Sequence, residues 1–264
     1  MFTPVSFSSN NLNKSSISNH PNQTFGCWNR TVYKAGSNFE VSHRNDTSFL
    51  RVTKDFPDFW EQATDFFVNK FKNKQQVGVS FYGCADGSET ASFLITMMSR
   101  FPQEVWQKFT KNINAIDNDP VAIAKAKSNK YTISKLEIER LRKMLGDKVD
   151  EFFIGFPKND CESAEVQLTD KVTSKINYRR ANVLNDMYRV KREDNIVFAR
   201  AFWPYLGRNI PVLARKFGDR LQNNVCLVIS RFDRRGCSWH NANIDELLRQ
   251  KDFKYSKVDL IFEK

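Results

Sequence analysis

No run of about 18 apolar residues, the length needed to cross a bilayer, occurs in the 264-residue chain, so no membrane insertion is expected. Cysteine is sparse. Cys27, Cys84, Cys161, Cys226 and Cys237 form no CxxC pair, and their odd number argues against a complete disulfide framework. The opening MFTPVSFSSNNLNKSS has no basic region followed by an apolar core, so no secretory signal is expected and a reducing cytoplasm is the compartment that fits. The Asn-x-Thr sequons at Asn22, Asn29 and Asn45 then read as chance. Histidine is scarcer still: His20, His43 and His240 lie far apart without zinc-ligand spacing, and no metal site is expected. The absence of a Gly-x-Ser-x-Gly elbow and of a Walker loop argues against hydrolases and nucleoside triphosphatases.

What is abundant is phenylalanine and positive charge. The 23 Phe within a 41% apolar composition can build a large core, which excludes wholesale disorder. Lys and Arg outnumber Asp and Glu by 41 to 30, a net charge of +11 that favours acidic partners. No zinc-finger or GxxG clamp supports a nucleic-acid module, so an acidic protein surface is the better match.

Residues 1–24 are rich in Ser and Asn and read as a flexible arm, and 25–46, with aromatic residues around Gly26 and Gly36, as a structured lead-in. From residue 47 to 264 helix and strand patterns alternate, the signature of a doubly wound, mostly parallel α/β sheet. Phe56, Phe59, Trp60, Ala63, Phe66, Phe67 and Phe71 recur at helical spacing and predict a helix over 55–71 with a core-facing aromatic side. Strands are predicted at 77–82, 113–116, 195–199 and 225–230, and helices at 136–145, 206–217 and from 244. Phe152 to Phe156 reads only as strand or irregular core packing, and 253–262 as closing edge strands.

Ligands of such sheets sit beyond the carboxyl ends of the strands. Gly83 and Gly87 follow the first strand, where they either admit a ligand or form an ordinary turn. Asp117 ends the second strand, where a carboxylate can accept two ribose hydroxyls; Asp119, before Pro120, is better placed to cap the next helix. Glu89 lies in the first turn of a helix, favourable there with the helix field or as a partner for a cationic ligand. Asn182 follows a strand and can read adenine through its amide; Arg200 and Tyr205 follow another, as pocket or rim residues.

The ordered segments resemble the chemotaxis-receptor (CheR-type) methyltransferases, protein-glutamate O-methyltransferases that use S-adenosylmethionine. Thr47-Ser-Phe-Leu-Arg51 is similar to the family's Thr-x-Phe-Phe-Arg. Phe81-Tyr-Gly-Cys-Ala-Asp-Gly-Ser-Glu89 resembles its cofactor loop, and Ala115-Ile-Asp-Asn-Asp119 its Ala-Thr-Asp-Ile-Asp. Phe198-Ala-Arg-Ala-Phe-Trp-Pro-Tyr205 is similar to Phe-Cys-Arg-Asn-Val-Leu-Ile-Tyr. The resemblance implies a class I, Rossmann-like methyltransferase fold with S-adenosylmethionine as cofactor. It implies that Arg51 lies near the reacting methyl, that Gly83, Ala85 and Gly87 form the cofactor loop, and that Glu89 binds the amino acid end. Asp117 would hold the ribose, Asn182 and Val183 the adenine side, Arg200 the pocket, and Tyr205 the acceptor. The chain departs from the family at Ser88, at Ala201 in place of Asn, at Gln222-Asn-Asn224 in place of Pro-Gly-Gly, and at Ser230-Arg-Phe-Asp233 in place of Gly-x-Ser-Glu. The family's N-terminal helical domain has no recognisable counterpart.

A glutamate acceptor, with a pKa near 4.3, is ionised at neutral pH and needs no general base, which suits a site with Arg51 and Tyr205 and no His. Methyl transfer from S-adenosylmethionine to a protein carboxylate or another small acceptor is the expected activity. A cofactor-binding regulatory or interaction module with weak or no catalysis is the alternative.

Overall fold

The computed structural model describes residues 48–50, 58–111, 113–186, 194–221 and 223–264. The expectations for 1–46, the Thr47 and Arg51 positions and the start of the first helix lie outside these residues. In chain order the elements are α1 (Phe59–Lys70), β1 (Gly78–Tyr82), α2 (Ser88–Arg100), α3 (Gln103–Thr110), β2 (Ile113–Asp117), α4 (Pro120–Ser128), β3 (Lys130–Ser134), α5 (Lys135–Leu145), α6 (Val149–Phe152), β4 (Phe153–Ile154) and β5 (Ser163–Leu168). There follow α7 (Asp170–Thr173), β6 (Ile176–Arg180), α8 (Val183–Asp186), β7 (Asp194–Phe198), a 3-10 helix (Trp203–Asn209), α9 (Ile210–Arg220), β8 (Cys226–Val228), α10 (Arg231–Ser238), α11 (Ile244–Arg249), β9 (Lys254–Tyr255) and β10 (Ile261–Glu263).

Seven strands form one sheet in the order β6-β2-β1-β7-β8-β10-β9. The β6-β2-β1-β7-β8 part is parallel, and β10 runs antiparallel to both β8 and β9. The order reverses at β1, between β2 and β7, and this switch point puts the ends of all three around one crevice. The expected doubly wound, mostly parallel α/β class is therefore what the chain adopts. One expectation needs adjustment: of the two tail strands only β9 is an edge, because β10 inserts beside β8.

Register explains the aromatic core. Phe81 of β1 pairs with Phe198 of β7, so their rings stack at 4.3 Å with parallel planes. Phe93 of α2 and Trp60 and Phe67 of α1 close on Phe198 at 5.4, 5.9 and 6.0 Å. The periodic aromatic side of α1 thus covers one sheet face. The other face packs Tyr82, Val197 and Leu227 against Leu213 and Phe217 of α9 and Leu248 of α11.

Between α4 and β6 the chain builds a separate three-stranded antiparallel sheet, β3-β5-β4, where periodicity predicted only scattered strands. Phe152 and Phe153 end α6 and begin β4, both buried. The helices α3, α6, α7, α8 and α10 were not anticipated. The predicted 206–217 helix is broken at Gly207 (φ 51°), so that α9 starts at Ile210.

Because Phe198 meets four other rings and is fully buried, Phe198→Ala should lower the unfolding free energy by about 3–5 kcal/mol. Urea denaturation checks this, and a loss under about 1 kcal/mol would mean the aromatic cluster is not the central contact described.

Candidate functional site

Beyond the carboxyl ends of β1, β2 and β7 the backbone makes two left-handed turns at alanine. In the loop after β1, Gly83 (φ 71°), Ala85 (φ 48°) and Gly87 (φ 83°) alternate with residues of negative φ. The Ala85 N–H donates to Asp117 Oδ2 at 2.8 Å, and the Asp119 N–H to Asp117 Oδ1 at 2.9 Å. Asp117 therefore ties the β1 loop to the end of β2 and also takes the Asn118 N–H, and of the roughly four lone-pair sites of a carboxylate these donors leave one open. Burial raises its pKa, against these backbone donors. Asp119 does what its position before Pro120 predicted: its carboxylate caps α4 through the Val121 N–H at 2.8 Å.

The two glycines serve packing inside the protein. A Cβ at Gly83 would stand 3.0 Å from the Phe202 ring, and one at Gly87 would collide with the Tyr178 hydroxyl. Tyr178 in turn donates to the Gly87 carbonyl at 3.3 Å, and Tyr131 to the Asp86 carbonyl at 3.0 Å, so two buried tyrosines hold the loop from below. The Cys84 thiol within it is pushed well up by burial and by the negative charge of Asp117, which keeps it neutral and removes it as a nucleophile.

Glu89 and Arg200, far apart in sequence, form a buried ion pair at 2.9 Å. The guanidinium lies over the rings of Phe59 (4.5 Å) and Trp60 (5.7 Å), and its Nε has no hydrogen-bond partner among the described residues. The hydroxyls of Ser88 and Thr90, at the same helix start, are likewise buried without partners. Asn182 is exposed and caps the short α8, accepting the Leu184 N–H at 2.9 Å; half-buried Val183 follows it. The N–H of Ala181, just before them, donates to the Asp117 carbonyl, which brings this strand end beside Asp117. Tyr205 is 49% exposed in the 3-10 helix, its ring 6.1 Å from Phe232. Arg51 lies outside the described residues; just before it, the N–H groups of Phe49 and Leu50 donate to Glu137 and to Ser92 of α2.

Sequence reasoning missed Asp233. This wholly buried carboxylate accepts from the Ser230 N–H and hydroxyl (2.8 and 2.7 Å), the Ala201 N–H (2.8 Å) and the Trp203 N–H (3.2 Å). It caps α10 and simultaneously fixes the turn that carries Arg200 and Tyr205. The local signal was present, since Ser230-x-x-Asp233 is a capping box; its reach to Ala201, 32 residues away, is not written in any local pattern. Among the described residues no group of three His, Cys, Asp or Glu side chains can hold a metal ion, no helix is long and apolar enough to cross a membrane, and Cys84, Cys161, Cys226 and Cys237 are unpaired.

The donor set suits an adenosyl sulfonium amino acid: a carboxylate with an open acceptor site for the ribose, and a pair of opposite charges with an unmatched Nε for a zwitterion. Residues 45–234 match the model of a family described as CheR methyltransferase, SAM binding domain. No curated protein matches the chain by sequence. Among solved structures, the chain is similar to precorrin 8W decarboxylase from Methanobacterium thermoautotrophicum (11% identity, TM-score 0.38, covering 73% of this chain and 72% of that one). It is also similar to precorrin-6y C5,15-methyltransferase from Geobacter metallireducens (9%, TM-score 0.41, 73% and 72%). A third is the plantazolicin methyltransferase BamL in complex with a triazolic desmethylPZN analog and SAH (16%, TM-score 0.38, 74% and 60%).

Burial pushes the Asp233 pKa up to about 6 from 3.8, against its four donors. Between those values the folded state binds more protons than the unfolded one, so this group's contribution to stability grows as pH falls through about 6 towards 4 and is lost as pH rises back. From pH 7 to pH 5 the native protein should thus gain on the order of 1 kcal/mol relative to Asp233→Asn, which does not titrate. Urea denaturation of both at the two pH values measures this; parallel pH profiles would mean that Asp233 is already ionised throughout.

Proposed function

Since the chain belongs to the CheR methyltransferase family through its S-adenosylmethionine-binding domain, we propose that it methylates a carboxylate side chain of an acidic protein. The observation that carries this reading is that Asp117 and the Glu89–Arg200 pair both attach to the loop after β1, Asp117 through the Ala85 N–H and Glu89 from the first turn of α2. When bound, the cofactor supplies a methyl group on a sulfonium, open to in-line displacement.

Asp117 would hold the ribose through a hydroxyl on its remaining acceptor site while its backbone bonds keep it in place. Glu89 would hold the ammonium and Arg200 the carboxylate of the amino acid end, leaving no buried charge uncompensated. Gly83, Ala85 and Gly87 shape the loop, and Asn182 and Val183 border the adenine. Tyr205, exposed at the rim, and Arg51 orient the acceptor carboxylate. That group is ionised at neutral pH and requires no base. His240, exposed after α10, is accordingly not needed. The acidic acceptor matches the +11 charge of the chain.

A second reading, binding without transfer, is favoured by Phe202, whose ring fills the space over Gly83 where the resembling family carries Val. Calorimetry and a labelled-methyl assay on an acidic protein fraction separate the two. S-adenosylhomocysteine should bind the native protein, and Asp117→Asn should weaken it by about 1–3 kcal/mol. Base-labile label should appear on protein and fall at least roughly a hundredfold in Tyr205→Phe and Arg51→Ala. Binding without transfer would establish the second reading; no heat from S-adenosylhomocysteine or from S-adenosylmethionine would remove both.

A further inference from the structure

α10 carries a surface whose residues the cofactor does not need. Phe232, Arg235, Gly236 and Trp239 stand at i, i+3, i+4 and i+7, one face of the helix and its cap. Gly236 lets this face approach the 3-10 helix: a Cβ there would collide with the ring of Pro204, the residue before Tyr205. The close approach sets Phe232 6.1 Å from Tyr205 and 5.9 Å from Trp239. Three aromatic rings thus form a row up to about 12 Å long, the reach of roughly four residues of extended chain. Both ends are open to solvent, Tyr205 at 49% and Trp239 at 64%, the latter the most exposed large apolar side chain among the described residues. Leaving an indole in water costs apolar surface energy that a monomeric protein ordinarily avoids.

The charges along the row identify its occupant. Arg235, on the aromatic face, and Arg208, three residues after Tyr205, are exposed and make no ion pair among the described residues. Arg231 and Arg234 are already matched by Asp259 and Asp245. The result is two separate uncompensated cations beside a row of tilted and edge-on rings, not the continuous basic groove that tracks a phosphate backbone. Past Trp239, Ser238, Asn241 and Asn243 line a cavity of about 390 Å³ whose hydroxyl and amide groups can bond a peptide backbone.

We propose that the Tyr205–Phe232–Trp239 row with Arg208 and Arg235 is the docking strip for an extended acidic, aromatic-containing segment of the acceptor protein, which it leads to the rim of the crevice. This rests on the reading that Tyr205 faces the acceptor. Aromatic side chains of the segment pack on the row, and its carboxylates pair with the two arginines.

The test uses the full chain and a fluorescein-labelled poly(Glu,Tyr) copolymer, read by anisotropy without cofactor. Trp239→Ala and Arg235→Glu should each weaken binding about tenfold or more. S-adenosylhomocysteine binding and melting temperature, measured alongside, should stay at native values, since neither side chain meets the crevice or the core. Lack of copolymer binding by the native protein, or equal binding by both variants, overturns the proposal. So does an oligothymidylate that binds more tightly than the copolymer and responds to the same substitutions, which would make the strip a nucleic-acid surface. Because this readout needs neither cofactor nor transfer, failure of the methylation reading appears separately, as absent S-adenosylhomocysteine binding or absent labelled methyl.

Discussion

The carboxyl edge of the sheet depends on two alanines that take a backbone conformation normally left to glycine or asparagine. Ala85 (φ 48°) and Ala201 (φ 61°) each cost on the order of 1 kcal/mol in the left-handed region. Each points its N–H at a carboxylate from a neighbouring element, half-buried Asp117 or wholly buried Asp233, at 2.8 Å. A charge-assisted bond in a poorly solvated place is strong enough to offset that strain. The two turns are thereby held in the one arrangement that aims the β1 loop and the β7 extension into the same crevice. Both carboxylates have raised pKa values through burial, so on acidification they take up protons more readily in the folded chain than in the unfolded one, and the fold gains from it.

Between the turns stands the Glu89–Arg200 pair. Its worth lies in placement more than in stability, because two buried charges largely exchange hydration for each other. The guanidinium lies over the Phe59 and Trp60 rings of α1, which makes that helix a wall of the site as well as a cover of the core. An isolated arginine here would be costly, and an isolated glutamate equally so. Together they are a neutral unit that a zwitterion can open.

Much of this was legible locally. The aromatic spacing of α1, the apolar runs of β1, β2 and β7, and the capping of α4 by Asp119 were all written in residues a few positions apart. Parallel pairing then follows, since βαβ units have little topological choice. What was not legible is whatever depends on the third dimension alone. Gly83 and Gly87 look like ligand glycines in sequence, yet Phe202 and Tyr178, brought there by strand order, occupy the space beside them. Glu89 and Arg200 are separated by 111 residues, and nothing near either one names the other. The antiparallel β3-β5-β4 sheet was blurred because its strands are short and interrupted by α5 and α6, so alternation never runs long enough to stand out.

The replacement of the family-like Asn by Ala201 illustrates how such a site tolerates change. In the left-handed region Asn is favoured because its short amide bonds locally, so losing it removes both a polar group and a conformational preference. Here the conformation survives because the preference is supplied from outside, by a carboxylate that holds the N–H of Ala201 and of Trp203 at once. Asp233 can do this only because it also caps α10, where Ser230 completes its coordination and anchors it against rotation. The backbone geometry that presents Arg200 and Tyr205 is consequently encoded by α10 rather than by the turn itself. A substitution that would unmake an isolated turn leaves this one in place, and the same helix that holds the turn carries the aromatic row running out from it.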